Sequence, residues 1–194
     1  MEKVQTGRVI EFYSNSCLVD TNDLKIQCSI LGKQDIVVGD SVNLEYQNKN
    51  DPRSALITSR IERASELKKK SIRGSKVIAA NITHVGILLV QNPTTSTEFI
   101  DKWIASSKAS NIEPFIINNK IDIDMPSAYI EKVEIYKNID IEIFNISAKE
   151  NTGLIDLTDY LQNKCTIFVG NSGAGKSTLT SKLTGVDIKT KALS

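Results

Sequence analysis

The chain has 194 residues, 40% of them hydrophobic, and its 24 Lys and Arg nearly balance 23 Asp and Glu for a formal net charge of +1. That length and apolar content leave room for one large or two small domains with a real core. The even charge excludes a nucleic-acid binder that works by bulk positive charge.

In the first 62 residues, β-rich stretches at 7–13, 16–20, 24–31, 41–46 and 55–61 alternate with turn signals at Asn15, Asn22-Asp23, Gly39-Asp40 and 48–52. Five short strands in so short a span predict a small barrel of the oligonucleotide/oligosaccharide-binding (OB) type over 1–62. Such barrels hold single-stranded nucleic acid through aromatics and cations on one face. Phe12, Tyr13 and Tyr46 are the candidates, although strand neighbours face opposite ways, so at least one of Phe12 and Tyr13 is expected in the core. Residues 63–76 are polar and without a clear period, and are read as the interdomain linker. From residue 60 to 76, Arg60, Arg63, Lys68, Lys69, Lys70, Arg73 and Lys76 stand against only Glu62 and Glu66. A solvated linker is the plain reading of this run, and a phosphate-backbone contact is the alternative.

From residue 77 onward the pattern changes to alternating strands and helices. A mostly apolar strand is predicted at 83–90. The capping box Thr95-Ser96-Thr97-Glu98 opens a helix with Phe99, Ile100, Trp103 and Ile104 on its core face. A strand at 114–118, a short helix around 128–136, a strand at 141–146, a helix at 154–161 and a strand at 165–169 follow. This order predicts an α/β domain with a parallel sheet covered by helices on both faces.

The last predicted strand runs into Gly170-Asn171-Ser172-Gly173-Ala174-Gly175-Lys176-Ser177, an unbroken G-x-x-x-x-G-K-S phosphate-binding loop, and then into a helix from Ser177 and Thr178. Glycines let the loop wrap its N–H groups around phosphates, and the helix adds the positive end of its dipole. Lys176 is expected on the β- and γ-phosphates and the Ser177 hydroxyl on Mg²⁺. Upstream, Asn119-Lys120-Ile121-Asp122 follows the strand at 114–118 and resembles the guanine-recognition N-K-x-D of GTPases. A carboxylate at Asp122 can accept from both N1–H and the 2-amino group of guanine, donors that adenine does not offer there. The Lys120 stem can lie along the base, and the Asn119 amide can tie this loop to the phosphate loop. Ser147-Ala148-Lys149 resembles the S-A-K segment, in which a backbone N–H, here that of Ala148, reaches the guanine O6.

In ordinary GTPases the phosphate loop comes first; here it comes after the other two motifs, which is the order of a circularly permuted GTPase domain. Joined to an N-terminal barrel, it resembles the ribosome small-subunit-dependent GTPase A family. The resemblance extends to Val38-Gly39-Asp40-Ser41-Val42, Ala79-Ala80-Asn81-Ile82 and Ile100-Asp101-Lys102-Trp103. It implies a cytoplasmic, monomeric GTPase that uses GTP/GDP with Mg²⁺ and assists late maturation of the small (30S) ribosomal subunit. The barrel would contact its rRNA.

The family pattern continues into a switch segment, a D-x-x-G and a zinc-binding domain. No D-x-x-G follows Ser177 and no Cys or His follows Cys165. The expectation is therefore a permuted GTPase domain over 77–194 that lacks the switch segments and the zinc ligands. It would represent the first two-thirds of a family member, with its phosphate-loop strand at an exposed sheet edge and hydrolysis impaired. No residue is assigned a catalytic role. The readings set against this are a non-catalytic RNA- or ribosome-binding module, a permuted GTPase of another ribosomal particle, and an ATPase. Cys17, Cys28 and Cys165 are odd in number and scattered, and with a lone His84 they form no zinc site or disulfide framework. They read as buried thiols of a reducing compartment. The N-terminus lacks the apolar core of a signal peptide, and aliphatic runs such as 85–90 are too short for a membrane span.

Overall fold

The structure is a computed structural model that describes residues 5–13, 15–46, 54–71 and 74–186. The chain divides into two units, Met1–Ile82 and Thr83–Ser194.

The first unit is built on a closed barrel. Its strands β1 (Gln5–Phe12), β2 (Ser16–Asp20), β3 (Lys25–Ile30), β4 (Ser41–Tyr46) and β5 (Ser54–Arg60) run in the order β1-β2-β3-β5-β4. β4 also pairs with β1, and β3 and β5 run parallel. Alternate residues point inward, so Val9, Cys17, Val19, Ile26, Cys28, Val42, Leu44, Ala55 and Ile57 form one buried core. Burial pushes the Cys17 and Cys28 thiols up to about 11, which leaves them protonated and chemically quiet. Phe12 and Tyr13 differ from expectation, because both are exposed, at 45% and 49%. The β1/β2 register shifts between Val9 and Glu11, which breaks simple alternation, and Tyr13 lies beyond the strand in the turn, where its N–H meets Ser16 O. Tyr46 is partly buried against the barrel core, with its hydroxyl on Gln5.

The segment read as a linker contains structure. β6 (Glu66–Ser71) and β7 (Gly74–Ala80) pair as an antiparallel hairpin that belongs to the first unit. It is fastened to the turn at Val38–Asp40. Ala80 N–H donates to Val38 O at 3.0 Å and Asn81 Nδ2 to Gly39 O at 2.9 Å. Gly39 has φ +93, and a Cβ there would come within 2.0 Å of Ala80 O, so only glycine allows this approach. Arg63 completes the joint. Its guanidinium is 4% exposed and grips the fully buried Asp40 carboxylate with two bonds, Nε to Oδ1 at 2.7 Å and Nη2 to Oδ2 at 2.9 Å. Glu66 and Asp35 add further contacts, and the Asp40 bonds are the first cause of an Arg63 pKa held above its usual value. The apolar code of a strand is missing from Lys68-Lys69-Lys70, and polar clamps of this kind leave no periodicity.

The second unit is a parallel sheet in the order β10-β9-β8-β11. Its elements are β8 (His84–Leu89), α1 (Thr97–Lys108), β9 (Glu113–Asn119), α2 (Ser127–Lys137), β10 (Ile143–Ile146), α3 (Leu154–Leu161), β11 (Thr166–Val169) and α4 (Lys176–Thr184). β8 and β9 read as continuous apolar runs because both of their faces are covered. Leu88, Phe115, Ile117, Ile146, Leu157 and Leu179 share one core. Helix α1 is capped by Ser96, whose Oγ accepts from Phe99 N at 3.3 Å. Thr95, read as the first position of the capping box, instead turns its buried hydroxyl to accept from Val90 N at 3.1 Å. Glu98 pairs with Lys102 one turn on. β11 bonds only to β8 among the described strands, so it lies at one end of this sheet. No helix among the described residues is long and apolar enough to cross a bilayer.

Candidate nucleotide site

Parallel strands deliver their carboxyl ends to one edge, where ligands bind in such sheets. Three of the four strands here end in one of the sequence motifs. β11 leads into Gly170–Ser177, β9 ends at Asn119 before Lys120-Ile121-Asp122, and β10 ends at Ile146 before Ser147-Ala148-Lys149.

Asn119 joins all three. It is 4% exposed, and its Nδ2 donates to Ala174 O in the phosphate loop at 2.9 Å. Its Oδ1 accepts from Ala148 N at 3.1 Å. Both ends of a buried amide are thus satisfied by backbone from separate loops, and an apolar side chain could do neither. Gly175 lies directly beneath, with φ +95, and a Cβ there would sit 2.4 Å from Asn119 Nδ2. The glycine therefore serves the amide as well as the phosphate turn.

Asp122 is exposed at the mouth of the site, and its Oδ1 accepts from Ser147 Oγ at 2.6 Å. Ser147 is itself 1% exposed and accepts in turn from Glu150 N at 3.1 Å, so its hydroxyl is fixed in direction. The Ser147 hydroxyl is the first cause holding the Asp122 carboxyl below the ordinary range; desolvation opposes it, and the charges of Lys149 and Lys120 add to it. Ile121 N–H meets Ile146 O at 3.2 Å, which holds the two base-side loops together. Lys120, at φ +69, turns its Nζ onto Asn92 O at 2.7 Å. Lys149 is exposed and pairs with Glu150.

In the phosphate loop, Lys176 Nζ donates to Gly170 O at 2.7 Å and Asn171 O at 2.9 Å, while Ala174 N–H closes a turn onto Asn171 O. Lys176 and Ser177 form the first turn of α4, with Gly175 as its N-cap. Ser172, Gly173 and Thr178 are exposed around the loop. The Ser177 hydroxyl has no hydrogen-bond partner among the described residues.

Two contributors escaped the sequence reading. Asn92 receives Lys120, and the neighbouring Pro93 ring would be 3.4 Å from a Cβ at Gly173, so the turn after β8 frames the site from a fourth strand. The Asn92-Pro93 pair a few residues after an apolar strand is the sequence signal for this turn. Asn118 and Asn145, which stand just before the two base-side motifs, carried no motif of their own.

A family model described as RsgA GTPase matches residues 60–194. The small ribosomal subunit biogenesis GTPase RsgA of Flavobacterium psychrophilum is 32% identical over 186 aligned positions, gaps included, covering 87% of this chain and 57% of that protein. Its counterpart from Chlorobaculum tepidum is 26% identical over 205 aligned positions, gaps included, covering 96% of this chain and 66% of that protein. The chain thus spans 57% to 66% of the length of these two curated relatives. The crystal structure of YjeQ from Thermotoga maritima superposes with a TM-score of 0.77 at 26% identity, over 96% of this chain and 68% of that one. YloQ, described as a circularly permuted GTPase, shares the fold with a TM-score of 0.69 at 24% identity, over 93% of this chain and 64% of that one.

Proposed function

The chain belongs to the RsgA GTPase family, and on that premise we propose that it binds GTP and GDP through the convergent loops and serves biogenesis of the small ribosomal subunit as a cytoplasmic GTPase. The observation that carries the nucleotide reading is the Asn119 amide, bonded at once to the phosphate loop and to the Ala148 N–H. In this reading Asp122 accepts from guanine N1–H and the 2-amino group, Lys120 flanks the base, and Ala148 N–H faces O6. The N–H groups of 170–178 cradle the phosphates. Ser177 is the chain's own ligand for Mg²⁺, and its uncommitted hydroxyl on the first turn of α4 fits that role. The ion would neutralise charge on the phosphate oxygens. Lys176 exchanges its two loop carbonyls for phosphate oxygens. The relatives' names support small-subunit biogenesis as the setting, and the closed barrel supports contact with rRNA.

Competition against a fluorescent GDP analogue tests the nucleotide reading. GDP should displace it, ADP should fail to at 100-fold excess, and Lys176→Ala should abolish binding; equal displacement by ADP would overturn it. Turnover of GTP by the chain, with and without small ribosomal subunits, tests the hydrolytic role. Subunit binding that ignores added guanine nucleotide would favour a non-catalytic RNA-binding module instead.

A pH dependence follows from Ser147. A depressed carboxyl pKa keeps Asp122 ionised as pH falls, until below the ordinary aspartate value of about 3.9. Ser147→Ala removes the main cause, so GDP affinity should begin to fall at a higher pH than in the unsubstituted chain. Titration of GDP binding downward from neutral pH reads this, and superposing profiles would count against the role given to the hydroxyl.

A further inference from the structure

β9 ends in two consecutive asparagines that face opposite sides of the sheet. Asn119 serves the site. Asn118, 3% exposed, faces α2 and β10. Its Oδ1 accepts from Tyr129 OH on α2 at 2.6 Å, and its Nδ2 donates to Asn145 Oδ1 on β10 at 2.8 Å. Asn145 is also the residue directly opposite Asn118 in the β9/β10 ladder. The preceding residues Phe115, Ile116 and Ile117 are fully buried, so this polar chain is set in an apolar strand. A buried amide there is costly unless partnered, and here both its oxygen and its nitrogen are. Burial raises the Tyr129 phenol, which keeps it protonated as the donor.

The rest of the ladder does not define register strongly, since Ile116 opposes Ile143 and Ile117 opposes Phe144. A slip of one residue would turn side chains to the wrong face, but a slip of two would keep every apolar residue on its own side. Such a slip would carry Ser147 about 6–7 Å along the strand direction, away from Asp122, and Ala148 N–H away from Asn119. Asn118 and Asn145 are the polar pair that a two-residue slip mismatches.

We propose that the Tyr129–Asn118–Asn145 chain is a positioning element for guanine selectivity: it pins β9 against β10 so that the two base-reading loops meet in register. This rests on the guanine-nucleotide reading above. The chain acts one residue before Asn119 and two before Ser147, on the face of the sheet away from Asn119, and touches no part of the phosphate loop.

The test uses dissociation constants of GDP and ADP for the full 194-residue chain and its variants. Asn145 is exposed on its strand and contributes only its oxygen, so Asn145→Asp keeps the acceptor and Asn145→Leu removes it. Asn145→Leu should weaken GDP about 5- to 10-fold, the worth of one hydrogen bond, with ADP unchanged, and Asn145→Asp should restore the preference for GDP. Tyr129→Phe, which keeps the ring, should shift the preference in the same direction as Asn145→Leu. An unchanged GDP-to-ADP ratio in Asn145→Leu, or equal weakening of both nucleotides, would overturn the inference while leaving guanine binding intact. Equal affinities in the unsubstituted chain would overturn the guanine reading, and this inference with it.

Discussion

Asp122→Asn is expected to lower GDP affinity about 100- to 10,000-fold, the loss of two charge-assisted hydrogen bonds to one base, and to raise affinity for xanthosine diphosphate. The carboxylate accepts from Ser147 Oγ–H and is exposed at the mouth of the site, and an asparagine oxygen can keep that one bond. Guanine presents two donors to it. An asparagine amide can accept from N1–H, but its NH₂ then faces the guanine 2-amino group, donor against donor. Xanthine carries a carbonyl at that position and converts the clash into a bond. Competition of the two diphosphates against one fluorescent probe measures both changes together. A GDP loss below about 3-fold, smaller than one ordinary hydrogen bond provides, would remove Asp122 from base recognition.

Arg63→Met is expected to destabilise the first unit by about 3–5 kcal/mol, the cost of leaving a buried charge without its partner. Asp40 is fully buried and would keep only the Val37 N–H, at 2.8 Å, out of the bonds its side chain makes now. Arg63→Lys should recover only part of the loss, because an ammonium cannot span Oδ1 and Oδ2 as the guanidinium fork does. The double variant Arg63→Met, Asp40→Asn should recover more, since no charge is stranded and the amide oxygen still accepts from Val37 N–H. Urea denaturation followed by circular dichroism reads these differences. A single variant that loses less than about 1 kcal/mol would place the pair with surface ion pairs.

The three loops that converge at the strand ends were legible because each carries fixed residue types at fixed spacing, and their chain order exposed the permutation. The sheet was legible from apolar runs, as in 83–90 and 114–118. What stayed hidden was held by polar contacts. Nothing in Lys68-Lys69-Lys70 suggested a strand, because the hairpin's place is secured by Gly39, Asn81 and Arg63 rather than by an alternating pattern. The cap lies one residue later than the Thr95–Glu98 spacing predicts, because Thr95 gives its hydroxyl to Val90 N–H and leaves Ser96 to accept from Phe99 N. Phe12 and Tyr13 came out exposed because a register shift cannot be read from residue types. Asn118 reads as the plain end of a strand, and only its own burial, with both ends of its amide bonded, gives it a role.

The order of strands across the second sheet has a consequence for synthesis. β8, β9 and β10 are adjacent in space and emerge from the ribosome in that same sequence, so the loops at Asn119–Asp122 and Ser147–Lys149 can meet before β11 is made. β11 is made after all three and must return to β8, where Thr83 N–H meets Cys165 O across 82 positions of chain. At roughly 5–20 residues per second, several seconds separate the appearance of Asp122 from that of Gly170. If the proposed guanine site is right, a base would meet Asp122 during that interval but no phosphate loop, and tight binding would await the docking of β11.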